Sequence, residues 1–363
     1  MKMQGNNFCV ILAGGRGKRL WPSSRMDCPK QFIDFFGTGR TQLQTTYDRY
    51  AAFMLKNNIY IGTSQEYVRL IREQLPELPE DHLLVEPINR NTAPTVAWAG
   101  RHIHNKCDNA RIIITPSDLH VVDDAAFQQN VLKGLDFVAE RDLMLTMGIR
   151  PTRPEPGYGY IQAGEPTMAE GINKVRSFTE KPEREFARIF MESGEFFWNT
   201  GMFLCNVNYM RRWFLEMFKD MPYRLAYLPQ GYTPEEEQEY VQKYYPSYPN
   251  ISMDKIALEL SDNVYVMQCD FGWADLGTWH SIYECMQRTE NDNVVIDSEV
   301  ILDECQNNII KLPKGHIGVF NGLDGYIVAE EGDVLLICKK SDSSALIRKY
   351  VNEVGIRYGE QYT

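Results

Sequence analysis

An α/β fold with a mostly parallel sheet, extended by a small β-rich unit, is what this 363-residue sequence predicts. Three observations predict it. A continuous apolar run over residues 8–13 ends directly in Gly14-Gly15, the pattern of a strand buried on both faces. Apolar runs then alternate with helix-patterned stretches as far as residue 150, which requires βαβ crossovers. From Asn291 onward that alternation gives way to short apolar runs separated by Gly, Asn and Asp.

In chain order, residues 8–13 form the first strand, and 59–62, 83–86, 112–115 and 143–148 are the further strands, with helices over 42–55 and 92–104 between them. Beyond Pro151, a crowd of Pro and Gly precedes strand patterns over 158–163 and 173–180, so this half is loop-rich and faces substrate. The acidic helical stretch 235–245 reads as a solvated face. The final strands are 294–296, 309–312, 317–320, 326–329 and 334–338, followed by a helix over 343–354. Their near-regular spacing lacks a hexapeptide signature, which leaves a β-helix and a small sandwich both open. The boundary is expected between a unit spanning 1–288 and one spanning 289–363.

Composition narrows the function classes. Hydrophobic residues at 44% and charged residues at 24% describe a chain that folds in water. Against 38 Lys and Arg stand 49 Asp and Glu, a net charge of −11 that disfavours broad contact with nucleic acid. The eight cysteines are scattered, with no C-x-x-C pair and no zinc spacing, which suits free thiols in a reducing cytoplasm. The run 8–13 is too short to span a membrane and no signal-peptide cleavage pattern follows it.

The loop Leu12-Ala-Gly-Gly-Arg-Gly-Lys-Arg-Leu-Trp-Pro22 follows the first strand. There a glycine-rich turn lets backbone N–H groups reach phosphate oxygens. It is not a Walker A loop, because Leu12 stands where that motif needs its first glycine, nor a dinucleotide fingerprint, because Leu20 stands where the third glycine belongs. Its mark is the density of Arg16, Lys18 and Arg19, then Arg25 and Lys30, which suits a triphosphate; the competing reading is a solvated basic turn.

Together with Pro29-Lys30-Gln31-Phe32, this run resembles the sugar-nucleotide pyrophosphorylases, and Trp21-Pro22 and Lys-Gln-Phe resemble the mannose-1-phosphate guanylyltransferases among them. The resemblance spans nearly the whole chain. It implies a Rossmann-like nucleotidyltransferase domain, with a mixed, mostly parallel sheet, carrying a small β-helix-like C-terminal domain. It also implies that Arg19 and Lys30 are catalytic and hold the nucleotide phosphates, with Leu12, Gly14, Gly15, Arg16 and Gly17 cradling the nucleotide. Two positions depart from the family pattern, Lys18 for a usual Ser or Thr and Ser23 for a usual Leu, and neither removes a group the backbone cradle needs.

Ile112-Ile-Ile-Thr-Pro-Ser-Asp118 puts a carboxylate at the C-terminal edge of a strand, where α/β ligand sites lie, and Trp273-Ala-Asp275-Leu-Gly277 supplies a second. Taken alone, either aspartate serves equally well as a cap or turn residue. The resemblance makes Asp118 and Asp275 the ligands of Mg2+, which needs only one or two carboxylates beside phosphate oxygens and water. A histidine usual just after the first aspartate stands one place later, as His120.

Glu86-Pro-Ile-Asn-Arg-Asn-Thr-Ala-Pro94 resembles the family's base-recognition loop. A carboxylate only accepts, and guanine presents adjacent N1–H and amino donors, so Glu86 is expected to read that edge, with Asn91 and Thr92 both capping the helix and lining the nucleotide. Gly157-Tyr-Gly-Tyr160, Glu180-Lys-Pro182 and Trp198-Asn-Thr-Gly201 resemble the sugar-phosphate segments, giving Tyr158, Gly159, Glu180, Lys181 and Asn199. His102 and His104, two apart on a helix, make a poor metal pair, and Asp123-Asp124 caps the next helix.

The resemblance thus implies an enzyme that joins GTP and α-D-mannose 1-phosphate into GDP-mannose and pyrophosphate. The attack would be an in-line, metal-assisted displacement at the α-phosphorus, without a general base. Another hexose 1-phosphate, or a non-catalytic nucleotide-binding regulator on the same fold, is the alternative. Partners would be the two substrates and, through the apolar β unit, a second copy. The isomerase module fused to some relatives is expected to be missing.

Overall fold

The computed structural model describes residues 5–221, 228–341 and 343–363. The strands in chain order are β1 (Asn7–Leu12), β2 (Ile59–Ser64), β3 (Leu83–Glu86), β4 (Arg111–Pro116), β5 (Leu119–Val121), β6 (Met144–Ile149), β7 (Tyr160–Pro166), β8 (Ile172–Thr179), β9 (Phe196–Asn206), β10 (Val264–Cys269) and β11 (Trp273–Asp275). The helices are α1 (Gln42–Ala51), α2 (Val68–Gln74), α3 (Thr92–Lys106), α4 (Asp124–Val138), α5 (Arg184–Ser193), α6 (Val207–Met217), α7 (Pro234–Tyr244), α8 (Trp279–Cys285) and α9 (Ser343–Tyr358).

A nine-stranded sheet runs β3-β2-β1-β4-β9-β6-β10-β8-β7. Its first four strands are parallel, as is the β6–β10 pair, and the remaining pairings are antiparallel. The chain leaves β1 toward β2 and β3, then returns to place β4 on the other side of β1. The crevice at the C-terminal ends of β1 and β4 is therefore a topological switch point, where open α/β sheets bind ligands. Strands β9 and β10 stand apart from the strands expected from sequence. In β9 an apolar run is broken by Asn199-Thr-Gly201, and the β6–β9 register shifts between Thr146 and Gly148, so the strand signal is interrupted where the chain bends.

β1 shows why an unbroken apolar run marks a strand buried on both faces. Cys9 and Ile11 enter one core with Leu43, Tyr47 and Tyr50 of α1 and Phe127, Val131 and Leu135 of α4. Phe8 and Val10 enter the other with Val96 and Trp98 of α3 and Met210 and Trp213 of α6. Each fully buried aliphatic side chain of this kind contributes about 1.5–3 kcal/mol. Asp123 caps α4 by accepting from the Ala126 N–H at 2.9 Å. The acidic helix α7 and the residue after it correct the solvated-face reading along one stripe, where Glu237, Val241 and Tyr245 are buried. Glu237 is buried and accepts from the Trp98 indole at 2.9 Å and the Tyr232 hydroxyl at 3.1 Å, and it pairs with His102 at 2.8 Å.

The C-terminal strands are β12 (Val294–Ile296), β13 (Glu299–Asp303), β14 (Ile309–Lys311), β15 (Ile317–Asn321), β16 (Tyr326–Glu331) and β17 (Val334–Lys339). β12, β14 and β16 stack in parallel, β13 and β15 form a second parallel ladder, and β17 closes as an antiparallel hairpin on β16. Successive coils that return in parallel register make a short β-helix and not a sandwich of antiparallel hairpins. Ile310, Leu312 and Val328 give it a small core of its own, and its larger core is shared with the first unit. Leu20, Trp21, Leu276 and Trp279 pack with Ile296, Ile309, Ile327, Ile347 and Val351 in one cluster. The Trp21 indole N–H donates to the Tyr362 carbonyl at 2.7 Å, and that of Trp279 to the Trp21 carbonyl at 3.1 Å, so the turn after α9 and the start of α8 brace the basic loop. No helix among the described residues is long and apolar enough to cross a membrane.

Candidate active site

Two adjoining cavities open at the switch point. The first, of about 400 Å³, is lined by Leu12, Gly14, Gly15, Lys30, Glu86, Asn91, Thr92 and Asp118, all expected from sequence. The second, of about 190 Å³, is lined by Arg19, Tyr158, Gly159, Glu180, Lys181, Asn199 and Asp275, also expected. Pro116, Gly201 and Asp254 line both, so the cavities meet there. Arg16 and Gly17 stand outside both linings. Arg16 extends toward Glu66, 3.9 Å away, and Gly17 turns the chain at φ 62°, close against Ser24 and Lys30.

Loop shape comes from short polar ties. Gln31 is buried and donates to the carbonyls of Ala13 (3.1 Å) and Gly15 (2.9 Å), while Ser24 accepts from the Lys30 N–H at 2.9 Å. These bonds hold the glycine turn open beside Lys30. A Cβ at Gly15 would meet nothing within 4 Å, so protein packing does not demand a glycine there and the space faces the cavity.

The charged groups gather where the cavities join. Lys30 forms a salt bridge with Asp118, and Arg19 lies 3.9 Å from Asp275. The antiparallel pairing of β11 with β5 sets Asp275 opposite Leu119, and the Leu276 N–H donates to the Asp118 carbonyl at 3.2 Å. Burial alone would lower the Lys30 ammonium, but Asp118 and Asp275 overcome it and hold it above the ordinary lysine value. Burial pushes the Asp275 carboxyl up; Lys30 and Arg19 pull it down, Asp118 within hydrogen-bonding range pushes it up, and the net is a raised value. Two crowded carboxylates of this kind fit a divalent cation, which would relieve their repulsion. Among the described residues no group of three or more His, Cys, Asp or Glu is arranged for a metal, so further ligands would come from substrate and water. Gly277 packs close beneath this pair: a Cβ there would lie 2.6 Å from an Arg19 nitrogen and 2.8 Å from an Asp275 oxygen, so a larger residue would displace these two side-chain ends.

On the base side, Glu86 is buried at the end of β3. Its Oε1 accepts from the Thr95 hydroxyl, and the Tyr245 hydroxyl, 3.1 Å from Thr95, completes the chain. Oε2 is buried without a hydrogen-bond partner among the described residues. Burial pushes this carboxyl up to about 7, against the lowering effect of Thr95. An acceptor left unpaired just behind a cavity wall is satisfied when a ligand brings a donor. Asn91 caps α3 by accepting from the Thr92 N–H at 2.9 Å, at a positive φ of 64°. Thr92 accepts from the Met253 N–H at 2.7 Å, and Arg90 donates to the Pro246 carbonyl at 2.5 and 3.1 Å. The segment 245–254 is thus strapped across the base loop.

On the sugar side, Tyr158 packs edge-on against Trp198, with ring centroids 5.2 Å apart, and lies 5.1 Å from Trp273. Glu180 pairs with Lys181, whose backbone is strained at φ 46°, a feature that clusters at ligand sites. A Cβ on Gly159 would lie 2.7 Å from Phe178 and 3.0 Å from Glu180, so only glycine fits that wall. His120 stacks on Phe36 with ring centroids 5.2 Å apart and lines neither cavity. Gln31, Thr95, Tyr245 and Asp254 were not legible as site residues.

Residues 8–292 match the family described as Nucleotidyl transferase. The alginate biosynthesis protein AlgA of Pseudomonas putida KT2440 is 32% identical over 339 residues, covering 91% of this chain and 68% of that protein. A mannose-1-phosphate guanylyltransferase of Sinorhizobium fredii NGR234 is 31% identical over 332 residues, covering 90% and 64%. Among solved structures, one described as a mannose-1-phosphate geranyltransferase from Thermus thermophilus superposes with a TM-score of 0.84 at 27% identity, covering 96% of this chain and 99% of that one.

Proposed function

The chain belongs to the nucleotidyl transferase family, and from that premise we propose that it transfers GMP from GTP to α-D-mannose 1-phosphate, releasing pyrophosphate. The observation that carries this reading is the Lys30–Asp118 and Arg19–Asp275 cluster standing between a cavity lined by Glu86, whose carboxylate keeps one oxygen unpaired, and a cavity walled by Tyr158, Glu180 and Lys181.

Guanine enters the first cavity with its N1–H and amino group toward Glu86, whose ionised form accepts both. The triphosphate runs along Gly14-Gly15 toward Lys30 and Arg19. The sugar phosphate sits beside Lys181, and one of its oxygens attacks the α-phosphorus opposite the departing pyrophosphate. That oxygen is already ionised, so the protein supplies alignment and charge and needs no general base. Arg19 and Lys30 are the catalytic residues, neutralising charge that moves toward the leaving group. Members of this family work with a divalent metal, and we assign Mg2+ here. Asp118 and Asp275 would hold it, and it would screen the two anionic substrates from each other.

Pyrophosphate release measured with mannose and glucose 1-phosphates crossed with GTP and UTP tests the assignment. Mannose 1-phosphate with GTP is expected to exceed every other pair in kcat/KM; a higher value for any other pair overturns it.

A further inference from the structure

Asp254 is the acceptor at the junction of the two cavities, and no sequence motif pointed to it. It stands at the end of the strap that crosses the base loop, lines both cavities, and takes a 2.6 Å hydrogen bond from the Asn199 amide on Oδ1. Asn199 itself is committed to the protein. Its carboxamide oxygen accepts from the Gly201 N–H at 3.1 Å, its backbone N–H donates to the Gly159 carbonyl at 2.8 Å, and one amide hydrogen goes to Asp254. With its amide oxygen and one amide hydrogen taken up by the protein, Asn199 leaves the carboxylate it holds as the acceptor at this wall. Burial pushes the Asp254 carboxyl up, Asn199 counters this, Glu180 adds to it, and Lys181 lowers it, so these three residues face it from β9 and from the turn after β8.

Resting on the function proposed above, we infer that Asp254 is a specificity-determining residue that accepts a hydrogen bond from a hydroxyl of the hexose ring, with Asn199 as its positioning residue. Two carboxylates, Asp254 and Glu180, then line the same small cavity. Sugars present paired hydroxyl donors at fixed stereochemistry, and a carboxylate held by an amide accepts from one of them with little freedom to adapt to its epimer.

The test is steady-state kinetics of the wild type and Asp254→Asn with mannose 1-phosphate and its 2-, 3-, 4- and 6-deoxy analogues at saturating GTP. The variant is expected to raise KM for the sugar phosphate about tenfold or more and to leave KM for GTP within about twofold. One deoxy analogue should lose about tenfold or more in kcat/KM in the wild type and lose nearly nothing further in the variant, while the other three keep their wild-type penalties. A rise in KM for GTP alone would assign Asp254 to the nucleotide and overturn the inference. Equal deoxy penalties in both proteins would reduce it to a structural residue, with the same consequence. Asp254→Ser, read in the same way, serves if the Asn variant does not fold. If the wild type prefers another hexose 1-phosphate, the function assignment fails, and the deoxy series of that hexose decides the role of Asp254.

Discussion

The base cavity and the sugar cavity share a wall yet hold their carboxylates in opposite ways. In the base cavity Glu86 keeps one oxygen unpaired, steadied only by the Thr95 and Tyr245 hydroxyls. In the sugar cavity and at the junction each carboxylate already has a partner: Glu180 with Lys181, Asp275 with Arg19, Asp118 with Lys30, and Asp254 with the neutral amide of Asn199. The difference teaches what each ligand must do. A base completes an unfinished hydrogen-bond pattern, which sets affinity and choice of nucleotide. A phosphate must draw cations away from carboxylates, which sets turnover.

If that contrast is right, the largest effect comes from the junction. Lys30→Ala is expected to lower kcat by about a hundredfold or more, the scale of losing one electrostatic donor, while GTP selectivity over ATP persists. Near-normal turnover would break the comparison. Asp118→Asn sharpens it from the anionic side. The cation concentration for half-maximal activity should rise about tenfold or more with the thermal transition preserved, since even changes outside the ligand shell reach that scale. An unchanged metal titration would remove Asp118 from the site.

The base cavity should answer in selectivity. Glu86→Gln replaces one acceptor oxygen by a donor facing guanine's own donors. It is expected to cut kcat/KM for GTP by about tenfold to a hundredfold with little change for ATP, and an unaltered GTP preference would sink the assignment. The smallest effect is in pH. The Glu86 carboxyl titrates at about 7 in the free protein, and only its ionised form accepts both guanine donors. GTP affinity should therefore rise as pH increases through that value, by about tenfold between pH 6 and 8, with a proton released on binding. Glu86→Gln should abolish the part of this slope that titration calorimetry assigns to the protein; an identical profile in the variant would place the titrating group elsewhere.

How much was legible follows the same division. The glycine loop, Lys30, Asp118, Asp275 and the Glu86 loop are contiguous motifs at strand ends, where residue type and backbone turn carry the signal together. Tyr245 and Asp254 sit in a segment without a motif of its own. Their roles exist only because the strap lies across the base loop through Thr92–Met253 and Arg90–Pro246 bonds, contacts 156 to 161 residues apart in sequence. Glu237 was hidden for a similar reason: the acidic helix α7 turns one carboxylate onto α3, and charge density alone does not say which side faces in. Five of the six C-terminal strands, all but β13, were visible as short apolar runs. Their parallel coiling was not, because strand direction comes from pairing partners and not from local pattern.

The central claim is that bound GTP fills the base cavity with its phosphates at the charged junction where the sugar cavity begins. Anomalous diffraction from crystals grown with Mn2+ and a non-hydrolysable GTP analogue tests it most directly. The account predicts a manganese peak between Asp118 and Asp275, guanine against Glu86 and phosphate oxygens on Lys30; a nucleotide bound away from this junction, or a metal peak remote from both aspartates, would contradict it.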